Sequence, residues 1–216
     1  MPAPSASEIE NLASSALQSA GLRGENAPDL AKALGQVCGQ TFTLFVTMAM
    51  VAPGIPAAAS PPPGAGSTVG PGMLLPPPAG GPGAAQIEPL ALAALTAQQL
   101  NGEQKPALAK AIAQSLEKAL TLFTLQVKVA PGIAIAGFTT SSPGSLVGAA
   151  PAKPMLEPLI QGFLQAEGLR GENIPNLAGA LAQTFSDALT QMMSRLKVTP
   201  GIPSSPGATA GPGRLM

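Results

Sequence analysis

The chain has 216 residues, 45% of them apolar and only 10% charged, with 11 basic residues balanced by 11 acidic ones. Soluble domains carry about 25% charged residues. A net charge of zero gives no electrostatic reason to bind nucleic acid or an anionic membrane, and little protection against self-association. Histidine, tyrosine and tryptophan are absent, and the only aspartates are Asp29 and Asp187. These absences leave no Cys/His cluster for zinc, no nucleophile–base pair beyond generic Ser and Lys, and no stacking aromatics for nucleic acid. The expectation is a non-enzyme with no cofactor, no metal and no small-molecule substrate.

The start, Met1 to Glu10, has neither a basic stretch nor an apolar core, so no secretory leader is expected. The densest uncharged apolar stretch, 41–52, is too short for the roughly 20 residues of a membrane span. A single cysteine, Cys38, precludes an internal disulfide and sits where a buried hydrophobe is expected.

The dominant feature is a threefold internal repeat. Aligning Pro28, Pro106 and Pro175 brings Pro53-Gly54-Ile55, Pro131-Gly132-Ile133 and Pro200-Gly201-Ile202 into register without a gap. Gly24, Gly102 and Gly171 coincide, as do Glu25, Glu103 and Glu172, and Glu10, Glu88 and Glu157. The ungapped cores are 9–55, 87–133 and 156–202. Adding the following segments gives three units, 8–85, 86–154 and 155–216.

Each core reads as helix, tight turn, helix. In the first helix, Ile9, Leu12, Ala13, Ala16 and Leu17 fall on one helical face. Pro89 and Pro158 are read into the first turn of their helices, where a missing N–H costs nothing. The turn runs from Gly21 to Pro28 and from Gly168 to Pro175, with Asn26 and Asn173 as expected N-caps. The middle copy lacks the first glycine. The second helix is about 22 residues long, or about 33 Å. Its apolar face places Phe45, Phe123 and Met192 at one shared position. Val37, Leu44, Val46, Met48 and Met50 add apolar character outside that face in the first copy, which predicts that this copy is the most enclosed.

After each long helix comes Val-x-Pro-Gly-Ile, starting at Val51, Val129 and Val198. Pro53, Pro131 and Pro200 stop the helix. The arms that follow are rich in Pro and Gly. Val51–Ile55 is expected to pair with Val69–Leu74, and the middle arm is read as a degraded copy around Val147-Gly148-Ala149. The fold class expected is mainly α: three tandem helical hairpins, each followed by a Pro/Gly-rich extended arm with short β-strands. A pseudo-threefold ring and a linear array both fit. Arms too rich in Pro and Gly to fold alone would run outward and bind neighbours by strand addition.

The order of Asn26-Ala-Pro-Asp-Leu-Ala-Lys-Ala-Leu followed by tails such as Val69-Gly70-Pro71-Gly72-Met73-Leu74 and Ala210-Gly211-Pro212-Gly213-Arg214-Leu215 resembles small structural virion proteins of tailed bacteriophages and related contractile injection systems. The resemblance implies an assembly component of a tail, baseplate or capsid. It would be located in the particle, assembled in the host cytoplasm, with other structural proteins and copies of itself as partners. A host envelope or surface protein, or a cytoplasmic scaffold binding through its helices, is the alternative.

Overall fold

The computed structural model describes residues 3–59, 64–205 and 207–216. The chain is mainly helical. Among the described residues there are six helices: α1 (Ala6–Ser19), α2 (Ala27–Met48), α3 (Ala84–Ala97), α4 (Lys105–Gln126), α5 (Lys153–Ala166) and α6 (Ile174–Arg195). Short helices alternate with long ones. Each long helix packs against the short helix before it and the short helix after it, and α6 packs back on α1. The helices therefore close into a ring.

Local sequence explains the helix limits. Ser5 caps α1: its hydroxyl accepts from the Glu8 N–H, and the Glu8 carboxylate accepts from the Ser5 N–H. Gly83 and Ala152 hold the same place before α3 and α5 in extended conformation, without a side-chain cap. Pro89 and Pro158 consequently lie inside α3 and α5, one turn deeper than the sequence reading placed them. Each removes an internal helix bond. Both prolines, and the Ala85 and Pro154 residues whose carbonyls they leave free, are exposed, so water can serve those carbonyls.

The long helices run straight into strands. Ala49, Val127 and Leu196 leave the helix in extended conformation and point inward, almost fully buried. The strands are β1 (Met50–Val51), β2 (Ala57–Ala59), β3 (Ala65–Thr68), β4 (Gly72–Met73), β5 (Lys128–Val129), β6 (Ala134–Ala136), β7 (Thr139–Thr140), β8 (Gly144–Val147), β9 (Lys197–Val198), β10 (Ser204–Ser205), β11 (Ala208–Thr209) and β12 (Gly213–Arg214). All the pairings are antiparallel.

They form two stacked rings. In the ring next to the helices, β12 pairs with β1, β4 with β5, β5 with β8 and β8 with β9, and the bridges Val51–Leu74 and Val198–Leu215 complete the circle. In the outer ring, β2, β3, β6 and β7 pair in order, β10 pairs with β11, and the bridges Thr139–Pro203 and Pro56–Ala208 close it. A closed barrel has no free strand edge. The outward-running arms expected from the sequence are thus replaced by arms locked into a barrel. Their Pro/Gly content sets bends rather than disorder. The expected pairing of Val51–Ile55 with Val69–Leu74 is present at the Val51–Leu74 bridge and the Ala52 N–H to Met73 carbonyl bond (2.8 Å), but most ladder bonds cross to the next segment. Parts of the arms, residues 60–63 and 206, lie outside the described residues.

The bends come from Pro-Gly. Gly54, Gly132 and Gly201 have φ of 93°, 95° and 91°, which a side chain would strain. Each glycine N–H donates to the carbonyl of a threonine in the preceding arm: Gly132 to Thr68, Gly201 to Thr140 and Gly54 to Thr209. The next N–H, of Ile133, Ile202 and Ile55, donates to the hydroxyl of the same threonine at 3.0, 2.9 and 3.0 Å. These threonines are buried, and the isoleucines beside them nearly so.

The register corrects the reading of the middle arm. Gly144 pairs with Val198 as Gly72 pairs with Val129 and Gly213 with Val51. Ser142-Pro143-Gly144-Ser145-Leu146, not Val147-Gly148-Ala149, is the counterpart of Gly70-Pro71-Gly72-Met73-Leu74. The difference has a physical logic. Gly70 and Gly211 lie against the rings of Pro56 and Pro203, where a Cβ would come within 2.8 and 3.1 Å. In the middle arm the proline is Ala134, which has an N–H to satisfy, and Ser142 accepts it at 2.9 Å.

Of the extra apolar residues on α2 and at the start of β1, Val37 is buried, but Leu44 is exposed and Val46, Met48 and Met50 are only partly covered. The first helix pair is not enclosed on that side.

Candidate interaction surface

Phe45, Phe123 and Met192, each completely buried, sit at the same position of the three long helices. The Phe45 and Phe123 rings meet edge to face with centroids 5.9 Å apart, an arrangement favoured by the ring quadrupoles. This position is core, as is Cys38, whose thiol pKa burial pushes up. No group of three or more His, Cys, Asp or Glu side chains that could hold a metal ion occurs among the described residues. No helix among them is long and apolar enough to cross a membrane.

Pro53, Pro131 and Pro200 stand in the barrel bends just described. The remaining repeated positions gather at the opposite end. Pro28, Pro106 and Pro175 occupy the first turn of α2, α4 and α6, where their rings fit without loss of a bond. Gly24, Gly102 and Gly171 precede them, and each glycine carbonyl accepts the N–H of the third residue on, at 2.9, 3.0 and 3.2 Å. Asn26 and Asn173 hold the N-cap position, but in helical conformation and with no side-chain hydrogen bond. The turn bond takes the first N–H of each long helix, and the expected asparagine caps are not used. Gly21 and Gly168 end the short helices with φ of 78° and 80°. In the middle copy Gln99 takes that place at φ 56°, the one non-glycine residue with positive φ among the described residues.

The three turns surround an apolar depression of about 480 Å³, lined by Leu22, Leu30, Leu100, Leu108, Ile174 and Leu177. All six are partly exposed. Leu30, Leu108 and Leu177 occupy one shared position near the start of the long helices. They start the apolar stripe of the long helices, and the stripe runs past the end of the packed interior. Around the rim, Glu25, Glu103 and Glu172 are exposed.

The boundaries between units carry different polar contacts. Arg195 on α6 forms a two-pronged ion pair with Glu8 at the start of α1, at 2.6 and 3.0 Å. This contact joins the last unit to the first. It holds the Glu8 carboxyl down to a pKa of about 2, with help from the Ser5 N–H and hydroxyl, and raises that of Arg195. Between the second and third units, Glu167 meets Lys110 at 3.0 Å and Gln114 at 3.1 Å. Sequence reasoning missed the ion pairs, which join residues far apart in the chain. It also missed the barrel threonines, although Thr-x-x-Pro-Gly-x-Leu stands three times in the sequence, at 68–74, 140–146 and 209–215. No family model, curated protein or solved structure matches the chain.

Proposed function

We propose that the protein is a non-enzymatic structural component of a larger particle, in which one chain does the work of a trimer. In this reading it consists of three tandem helical hairpins, 8–85, 86–154 and 155–216, each followed by a Pro/Gly-rich arm that completes its neighbour. The observation that carries the proposal is the circular hydrogen bonding of the barrel. Thr68 serves Ile133, Thr140 serves Ile202, and Thr209 returns to serve Ile55. A circle of this kind, closed within one chain, presents three similar faces about one axis.

Such a ring suits a position on a threefold axis, or a sixfold axis when used twice. A single chain can vary its three faces independently, which three identical subunits cannot do. The resemblance of the helix-plus-tail units to phage virion proteins makes a tail, baseplate or tail-like injection particle the assembly proposed, with other structural proteins as partners.

The test is sedimentation of the native protein from its source, followed by immunodetection across the gradient. Co-sedimentation with particles in a fixed stoichiometry supports the proposal. Recovery with membranes, or only in small complexes, would favour the envelope or scaffold reading instead.

A further inference from the structure

The three turns keep features for which the ring itself has little use. Gly24, Gly102 and Gly171 are all glycine, yet a Cβ added at any of them would meet nothing within 4 Å. Gly171 has a φ of 144°, which favours glycine, but Gly24 and Gly102 do not have positive φ. Glu25, Glu103 and Glu172 are exposed and form no ion pair among the described residues. On the long helices, by contrast, solvent-facing positions diverge between units: exposed Thr47, Leu125 and Ser194 correspond, as do exposed Gln40 and Lys118 with partly exposed Asp187. A contact made three times, once by each turn, accounts for glycine and glutamate being kept together at the same exposed corner.

We infer that the turn end of the ring is the docking face for a second copy of the chain, stacked coaxially with its own turn end. The charge pattern selects this occupant. Each turn carries both signs close together: Arg23 beside Glu25, Lys105 beside Glu103, and Arg170 beside Glu172. A face with one sign would call for an oppositely charged partner; a face with alternating signs complements itself when turned over, as a twofold contact requires. The second copy also brings the same threefold spacing, so all three turns can engage at once. At the centre, the depression lined by Leu30, Leu108 and Leu177 would be covered, which gives the partly exposed leucines an apolar partner. The zero net charge of the chain puts no long-range repulsion between copies. This inference rests on the closed ring and not on the identity of any particle.

Light scattering on the purified full chain tests it. The mass expected at tens of micromolar is twice 21.3 kDa, falling toward the single-chain value on dilution. Two variants separate docking from folding, since all the altered residues are exposed. E25R/E172R makes two of the turns basic, and R23E/R170E makes the same turns acidic. Each alone should weaken dimerisation at least tenfold with an unchanged helical circular-dichroism spectrum. Mixed, they should form a heterodimer. A wild-type chain that stays at 21.3 kDa at high concentration, or charge variants that dimerise as well as wild type and do not prefer each other, would overturn the inference. Particle association in the sedimentation experiment could still succeed, so the two failures are distinct.

Discussion

The helical end and the barrel end of the molecule hold the same threefold pattern by different means. Among the helices, equivalent core positions exchange freely: Phe45, Phe123 and Met192, or Cys38, Leu116 and Phe185, all almost fully buried. In the barrel, equivalent positions barely change. Val51, Val129 and Val198 are the same residue, as are the three threonines, the bend glycines and the isoleucines after them. The contrast follows from what each layer is made of. Helices satisfy their own backbone, so their packing needs only suitable apolar volume. Two-residue strands cannot, so the barrel depends on particular donors, acceptors and φ angles at each corner.

Substitutions at three kinds of position probe that contrast, and the largest effect lies in the helices. Phe123→Ala removes a fully buried ring that packs against Phe45. It should lower stability by about 3–5 kcal/mol in a denaturant titration. An unchanged midpoint would show that the axial core is not a core. In the barrel, Thr140→Val keeps shape but removes the acceptor of the buried Ile202 N–H. The cost expected is about 1–3 kcal/mol, and Thr68→Val and Thr209→Val should match it. Unequal losses would mean that the three corners are not equivalent. Gln99→Gly relieves a positive φ that the other two copies give to glycine. A gain of up to about 1 kcal/mol is expected, measurable as a higher melting temperature.

How much of this was legible in the sequence differs between the layers for the same physical reason. The helical face shows itself through 3.6-residue periodicity over 14 or 22 residues. Strands of two to four residues are too short to show alternation, so the barrel had to be inferred from Pro and Gly, which signal a turn but not a partner. The misread middle arm shows how. Ser142 replaces the glycine that marks the other two, so matching by Gly-Pro-Gly slipped the register. Matching by Thr140 would have fixed it, since a threonine stands four residues before the pairing glycine in all three arms. The expected asparagine caps failed differently: the residue type was right for a cap, but Asn26 and Asn173 take a helical rather than the extended backbone of a capping residue, and their side chains make no cap bond. The exposed turn glutamates, by contrast, were visible at once, and their repetition mattered more than any motif they resemble.

The smallest predicted effect tests whether the ring needs a lock at its seam. The first and second units, and the second and third, are joined by the chain; the third and first are not, and there Arg195 grips Glu8. The corresponding residues at the second seam are Gln126 and Met155, which meet at 3.1 Å without charge. The folded state holds the Glu8 pKa at about 2, below its ordinary 4.5, chiefly through Arg195. A depressed acid pKa adds stability that is complete above the unfolded value and is lost as pH falls through the folded one. The loss should therefore begin near pH 4.5 and finish near pH 2. Arg195→Gln copies the second seam. It should lower the melting temperature slightly at neutral pH, and should flatten the acid limb of stability against pH between those limits. Because both side chains are solvent-exposed, the difference from wild type should shrink at about 1 M salt, where the screening length falls to about 3 Å. A variant whose acid limb overlays that of wild type would show that the seam is closed by the barrel and the apolar helix faces alone.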